Sequence, residues 1–170
     1  MLCLVILIVI QTLAAMKMSV LNKLLEQRAY TDAHTGLPNK DACEVLLNNK
    51  ETVAKHTACI MFDLNNLKII NDTKGHSKGD QLILNFARLL RNVIPQKDFV
   101  GRYGGDEFMV VIYNTSKTEI EDILKQLSRE KDRLNSSGNN MPIDYACGWA
   151  ISDADSECTI QMLLDKADYY

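Results

Sequence analysis

The sequence predicts an α+β domain in which helices pack around one central sheet that contains antiparallel strands. Residues 57–64 form a continuous apolar run with the length of a buried strand, and two β-prone runs flank Gly104 and Gly105, which indicates a hairpin. Apolar residues also recur at helical spacing before, between and after these strands. No strand is followed by a glycine-rich dinucleotide loop, so a P-loop or Rossmann nucleotide site is not expected.

Composition and charge narrow the function classes. The chain has 170 residues, of which 46% are hydrophobic and 24% charged, which suits one domain with a sizeable core. The formal charge of −3 gives no general attraction to nucleic acid, so nucleic acid is not an expected partner. Five cysteines without a C-x-x-C pair favour neither a disulfide framework nor a zinc cluster. We expect Cys43, Cys59 and Cys147 to be small buried thiols, because apolar residues surround them in the sequence.

The first 16 residues are almost entirely apolar and are followed by Lys17, Lys23 and Arg28. A helix of that length reaches about 24 Å, short of the ~30 Å hydrocarbon core, and no basic residue precedes it as in a secretory signal. We interpret residues 1–16 as a possible membrane anchor. Because basic residues follow it, we expect a cytoplasmic domain attached to the inner face of the membrane. Residues 17–29 have the spacing of a short amphipathic linker helix.

The elements of the domain, which begins near Tyr30, follow in order. Asn39 is placed to cap a helix over residues 41–48. The strand over residues 57–64 comes next. An apolar helical stripe then continues until Pro95 ends it. The stripe consists of Leu82, Ile83, Phe86, Leu89, Leu90, Val93 and Ile94.

The second half of the domain begins with the hairpin, whose strands are expected over residues 99–103 and 108–113. Ser116-x-x-Glu119 is a capping box that predicts the start of a helix. Strict alternation over residues 143–151 predicts a strand with one buried face. The apolar face of a last helix comprises Ile160, Leu163, Leu164 and Ala167.

Three acidic residues lie where two of the predicted strands could meet. Asp63 comes at the end of the first strand, and Asp106 and Glu107 follow the Gly-Gly turn. If the strands are neighbours, their carboxylates converge, and converging carboxylates repel unless a cation lies among them. Oxygen ligands favour Mg²⁺ or Mn²⁺ over zinc. The alternative is a solvated hairpin tip with ordinary surface acids.

Residues 71–80 form a second polar cluster, rich in glycine, between two apolar helical stretches. Taken alone, this segment is typical of a loop with an Asx turn and a helix cap. Asn and Asp side chains can also bind the edge of guanine, since Asp accepts from N1–H and from the 2-amino group. For His76 in this segment we expect a structural hydrogen-bonding role.

Four motifs in this order resemble the successive signatures of GGDEF domains. They are residues 62–72 (FDLNNLKIIND), Gly75-His76, Gly79-Asp80 and residues 102–108 (RYGGDEF). Asp32 with residues 35–39 (TGLPN) resembles the opening motif of the family, and Ala167-Asp168 with Tyr169 resembles part of its closing helix. The resemblance covers residues 30–170. It implies a palm-like fold, as in nucleotidyl cyclases and ferredoxin-like domains, and a diguanylate cyclase that condenses two GTP into cyclic di-GMP.

The resemblance also implies roles for the acidic cluster. Asp63, the Leu64 carbonyl, Asp106 and Glu107 would be ligands of Mg²⁺ or Mn²⁺. Asp106 would in addition help to activate the attacking 3′-hydroxyl, and Asp106, Glu107 and Lys68 are the expected catalytic residues.

For GTP, the resemblance implies that Asn71 and Asp80 read guanine. Lys68 and the backbone N–H groups at the helix start after Leu64 would hold phosphates. Gly104 and Gly105 would let the backbone approach the nucleotide. Because one domain holds one GTP, the resemblance further implies a homodimer in which two domains face each other, and the N-terminal helix and anchor would raise their effective concentration.

The sequence departs from the family pattern at several points. The inhibitory product motif R-x-x-D reads Pro95-Gln96-Lys97-Asp98 here, so we expect no feedback inhibition through that site. Asn65 stands where many relatives have a second Asp. Related domains continue with a Lys and an Arg that contact phosphates and with a final strand, and we expect the C-terminal end of this domain to be incomplete. The alternatives are therefore an active cyclase, a weak GTP-binding or regulatory module, and an α+β scaffold without nucleotide.

Overall fold

The computed structural model describes residues 2–138, 141–152 and 157–167. The helices are α1 (Leu2–Ala29), α2 (Lys40–Leu47), α3 (Leu67–Lys74), α4 (His76–Val93), α5 (Lys117–Ser136) and α6 (Ile160–Ala167). The strands are β1 (Ala58–Leu64), β2 (Phe99–Arg102), β3 (Glu107–Ile112) and β4 (Tyr145–Ile151). Asp168 and Tyr169 of the predicted closing motif lie outside the described residues.

The strands form one antiparallel sheet in the order β2-β3-β1-β4. Helices α3 and α4 connect β1 to β2, a tight hairpin connects β2 to β3, and α5 connects β3 to β4. This is the β-α-β-β-α-β arrangement in which β3 inserts between two strands of a crossover unit. The predicted α+β class with an antiparallel sheet is confirmed, and β1 lies at its centre.

Alternation along β1 divides the core into two layers. Ala58, Ile60, Phe62 and Leu64 face one side of the sheet, where they join the buried residues of α4 and α5. Cys59 and Met61 face the other side, where they pack with residues of α2 and α6. By the same alternation Asp63 belongs to the α2 and α6 side, and it is exposed at the end of an otherwise buried strand.

Local signals place the predicted helix boundaries. The Ser116 hydroxyl accepts from the Glu119 N–H while the Glu119 carboxylate accepts from the Ser116 N–H, which is the predicted capping box. Helix α4 ends at Val93, before Pro95, as predicted.

Asn39 joins the ends of two helices. Its Oδ1 accepts from the Ala42 N–H at 3.0 Å, which confirms the predicted cap of α2. Its Nδ2 donates to the Ala29 carbonyl at the end of α1, at 2.7 Å. One side chain therefore satisfies the backbone at the end of α1 and at the start of α2.

The polar segment at residues 71–80 is mostly helical, so its interpretation as a loop is wrong. Helix α3 continues to Lys74, and α4 begins at His76. Gly75 alone separates them, with φ +85°, a backbone conformation that side chains disfavour. The polarity of the segment reflects an exposed helix junction rather than missing helical structure.

Two of the three cysteine predictions are confirmed. Cys43 and Cys59 are fully buried, and burial raises the pKa of the Cys43 thiol to about 12, so that it stays protonated at neutral pH. The prediction for Cys147 is wrong, because that residue is exposed. It lies on β4, an edge strand of the described sheet, where Tyr145 and Trp149 are also only half-buried.

Helix α1 is continuous over 28 residues, so the predicted anchor and linker helix form one element about 42 Å long. Its residues from Val5 onward are exposed. Within the described part of the chain it is one helix whose length and apolar composition suffice to cross a membrane.

Candidate nucleotide and metal site

The pairing of β1 with β3 brings the predicted acids to one end of the sheet. In the register of these antiparallel strands, Asp63 lies directly opposite Glu107. Directly opposed residues point to the same face, with Cβ atoms about 5 Å apart. The Leu64 N–H donates to the Asp106 carbonyl at 2.9 Å, which ties the next residue of β1 to the hairpin tip. The backbones that carry all three acids are therefore adjacent.

The hairpin tip is closed by its own backbone. The N–H groups of Tyr103 and Gly104 both donate to the Glu107 carbonyl, at 2.9 and 3.2 Å. A Cβ on Gly104 would collide with the Glu107 carboxylate, whereas a Cβ on Gly105 would meet open space. The Glu107 side chain would have to move to admit a Cβ at position 104, whereas the space beside Gly105 is open.

The donor set at this end suits a hard cation that is shared with a substrate. Across residues 2–138, 141–152 and 157–167, no group of three or more His, Cys, Asp or Glu side chains is arranged to hold a metal by itself. Mg²⁺ in phosphate-binding sites, however, is usually held by one or two carboxylates together with phosphate oxygens and water. The opposed carboxylates of Asp63 and Glu107, with Asp106 beside them, fit that kind of site.

The start of α3 follows directly on β1. Asn65 is held by Asp144, whose carbonyl accepts from the Asn65 N–H at 2.9 Å and whose carboxylate accepts from Nδ2 at 3.0 Å. Asn66 turns the chain in the left-handed region, at φ +64°, and its side chain makes no capping hydrogen bond. The first N–H groups of α3 and the exposed Lys68 thus adjoin the acidic end of β1, where an anion is favoured.

The junction of α3 and α4 places Asn71 against Gly79, the residue before Asp80. Asn71 lies in the last turn of α3, and a Cβ on Gly79 of α4 would collide with its side-chain oxygen. This Asn71 Oδ1 is buried without a hydrogen-bond partner. A buried acceptor without a partner costs about 1–3 kcal/mol, so a ligand that supplies an N–H donor would be favoured there. Asp80, next to Gly79, is exposed.

An ion pair that the sequence analysis did not single out supports the hairpin tip. Asp32 accepts from the Thr35 N–H at 2.8 Å and from its hydroxyl at 2.6 Å, and Asp32 lies 3.3 Å from the Arg102 guanidinium. Arg102 also donates to the Gly105 carbonyl at 2.8 Å. The Asp-x-x-Thr spacing indicates such a turn, but the partner 70 residues away is not evident from a sequence pattern.

The pKa of Asp32 reflects this environment. Partial burial alone would raise the pKa of the carboxyl, but the Thr35 hydrogen bonds and the positive charge of Arg102 outweigh it and lower the pKa below its ordinary value of 3.8. The charged form is therefore favoured by the fold.

Comparison with known proteins is consistent with this geometry. Residues 29–170 match the family model described as "Diguanylate cyclase, GGDEF domain". The chain is 33% identical over 113 residues to diguanylate cyclase DgcP of Escherichia coli (strain K12), a match that covers 64% of this chain and 33% of that protein. It is 34% identical over 146 residues to cyclic di-GMP phosphodiesterase PdeB of Shewanella oneidensis, which covers 85% of this chain and 17% of that protein. The chain thus spans a third or less of the length of these curated relatives.

Among solved structures, the chain resembles the coiled coil and GGDEF domain of DgcB from Caulobacter crescentus in complex with c-di-GMP. The TM-score is 0.78 at 22% identity, with 94% of this chain and 87% of that chain covered. At this identity the likeness shows the fold, and it confirms the predicted palm-like arrangement of sheet and helices.

We predict that Asp32→Asn lowers the free energy of unfolding by about 1–3 kcal/mol at pH 7, because the half-buried charge on Arg102 loses its partner. Since the pKa of Asp32 is lower in the folded than in the unfolded chain, the stabilisation is present above about pH 4 and is lost as the pH falls through the folded-state pKa. Urea unfolding at a series of pH values measures both effects.

The matched control is Asp122→Asn, which removes only an exposed ion pair with Lys125 and is expected to change stability by less than about 1 kcal/mol. Equal effects of the two substitutions, or a difference that grows as the pH is lowered below 4, would contradict this account of Asp32.

Proposed function

Because the chain belongs to the GGDEF domain family, we propose that it is a diguanylate cyclase, which condenses two GTP into cyclic di-GMP and releases two pyrophosphates. The observation that carries this proposal is the register of β1 and β3, in which Asp63 opposes Glu107 and the Leu64 N–H donates to the Asp106 carbonyl. Carboxylates at this position can bind a divalent cation, and the start of the adjacent helix favours the negative charge of a triphosphate.

Guanine recognition is proposed for Asn71 and Asp80. The unpartnered Oδ1 of Asn71 is an acceptor for an N–H of the base, and the Asp80 carboxylate would accept from N1–H and from the 2-amino group. Lys68 and the first N–H groups of α3 would bind the phosphates, because Lys68 is exposed in the first turn of that helix.

The acidic end of the sheet is proposed to hold Mg²⁺ or Mn²⁺ through Asp63, the Leu64 carbonyl, Asp106 and Glu107. When bound, such an ion neutralises phosphate charge and lowers the pKa of a coordinated hydroxyl. Asp106 would accept the proton of the attacking 3′-hydroxyl. The new bond forms between that oxygen and the α-phosphorus of the other GTP, and the bond from the α-phosphorus to the bridging oxygen breaks as pyrophosphate leaves.

A homodimer follows from the stoichiometry of this reaction. One domain offers one guanine site in the proposed arrangement, whereas the product contains two guanosines related by two-fold symmetry. Two copies of the chain would therefore face each other, each supplying the hydroxyl that attacks the nucleotide held by its partner. Helix α1, whose residues from Val5 onward are exposed, would keep two copies near each other.

A GTP-binding or regulatory module without turnover is the second candidate function. One of the matched relatives is named a cyclic di-GMP phosphodiesterase, so similarity to this family does not by itself identify a cyclase. Both candidates share the guanine site at Asn71 and Asp80, and they differ in whether product forms.

The discriminating experiment is incubation of the full chain with GTP and Mg²⁺, followed by detection of cyclic di-GMP and pyrophosphate. We predict product formation, and we expect Asp106→Ala to lower its rate at least about 100-fold because the proton acceptor and a ligand oxygen are lost. The control Asp122→Ala removes an exposed carboxylate on α5 and should retain the activity within about twofold. Binding of GTP without product would instead support the second candidate.

Product inhibition tests the departure from the R-x-x-D pattern. Pro95 has no side-chain donor to take the place of the Arg. Asp98 Oδ1 accepts from the Tyr113 N–H at 3.1 Å just after β3, and its Oδ2 is buried without a hydrogen-bond partner. We therefore predict that added cyclic di-GMP slows the reaction only in competition with GTP, in a steady-state titration at several GTP concentrations. Asp98→Ala should leave this behaviour unchanged, whereas a non-competitive component that Asp98→Ala removes would contradict the prediction.

Membrane attachment through α1 is proposed from its length, composition and exposure. Basic residues follow the apolar part, which supports a cytoplasmic position of the domain on the inner face of the membrane.

We predict that the chain sediments with membranes and resists extraction by salt, and that Ile8→Arg weakens this association, because a charge in the bilayer costs about 2.5–3.5 kcal/mol. Ile69→Arg, at an exposed isoleucine of α3, is the control and should have no effect. Recovery of the unaltered chain in the soluble fraction would exclude the anchor.

A further inference from the structure

His34 makes a hydrogen bond to the segment that carries the proposed guanine reader. Its Nε2 lies 2.8 Å from the Asp80 backbone carbonyl, across 46 residues of sequence. A carbonyl oxygen only accepts, so Nε2 must carry the hydrogen and donate it. The Asp80 carbonyl has a second lone pair, so it can accept from His34 in addition to its bond within α4.

The loop that carries His34 is held on both sides. Asp32 accepts two hydrogen bonds from Thr35 and pairs with Arg102. Two residues after His34, the Gly36 carbonyl accepts a short hydrogen bond from the Arg91 guanidinium of α4. His34 therefore donates from a fixed position rather than from a free loop, and its bond constrains the backbone at Asp80.

The Asp80 side chain is exposed near the start of α4, so the position of that end of the helix sets where its carboxylate lies. Its neighbour Gly79 lies against the Asn71 side chain of α3, so the position of the start of α4 relative to α3 sets the distance between the two proposed guanine contacts. A small movement of the start of α4 relative to α3 would separate the Asp80 carboxylate from the base while the Asn71 contact remained. Acceptance from both N1–H and the 2-amino group requires the Asp80 carboxylate to stay in place beside the base.

We propose that His34 is a positioning residue for guanine recognition: it fixes the Asp80 backbone, so that the carboxylate can accept from both N1–H and the 2-amino group. This inference rests on the proposed function of Asn71 and Asp80. It is independent of catalytic turnover, because it concerns only the affinity for the base.

The test is calorimetric binding of GDP and of IDP, which lacks the 2-amino group, to the full chain in the presence of Mg²⁺. The unaltered chain is expected to prefer GDP. His34→Leu removes the donor and should weaken GDP binding about three- to tenfold, as for the loss of one hydrogen bond. It should weaken IDP binding less, so that the ratio of the two dissociation constants moves toward one. The melting temperature should stay close to that of the unaltered chain.

His34→Gln retains an N–H donor of similar reach and should preserve most of the preference for GDP. A Gln variant as weak as His34→Leu would overturn the inference. Equal weakening of GDP and IDP would also overturn it, since a merely structural role predicts that result. Binding of both nucleotides by His34→Leu with unaltered constants would overturn the inference alone, whereas failure of the unaltered chain to bind GDP would overturn the proposed function as well.

Discussion

The antiparallel pairing of β1 with β3 is the constraint on which both the fold and the candidate site depend. Side chains alternate between the faces of a strand, so a slip of one residue would turn Asp63 into the layer of α4 and expose Phe62. Phe62 is fully buried and packs edge-on against Phe86, at 5.9 Å between ring centroids. The apolar packing that stabilises the sheet thus also holds Asp63 opposite Glu107. Stability and site geometry have a common origin here.

Local structure could be predicted from the sequence because its causes are local. The caps at Asn39 and Ser116 depend on side chains within three residues of the backbone groups they bind. The hairpin follows from two glycines between β-prone runs. Register and strand order involve residues far apart in the chain, and no pattern of alternation specifies which strand lies beside β1. The sequence could therefore predict that Asp63 lies near Asp106 and Glu107 only if β1 and β3 were neighbours, and the structure is needed to show that they are.

Elsewhere the sequence was ambiguous for physical reasons. Polar residues and glycines between two apolar stretches are equally typical of a loop and of an exposed helix junction, and here a single residue, Gly75, makes the break. Cys147 has apolar neighbours in sequence, but burial depends on whether a strand is central or at the edge. The ion pair of Asp32 with Arg102 and the hydrogen bond from His34 to Asp80 join residues that are far apart in the sequence. No local sequence pattern indicates either contact.

The joint made by Asn39 has a mechanical consequence. Helix α1 runs to Ala29 without interruption, the Asn39 side chain holds its last turn, and the Asn39 N–H donates to the Tyr30 carbonyl at 3.0 Å. Thr31, the residue before Asp32, forms an antiparallel β-bridge with Pro38. A rotation of this helix, which is about 42 Å long, would therefore be transmitted within a few residues to Asp32, whose carboxylate supports the hairpin tip.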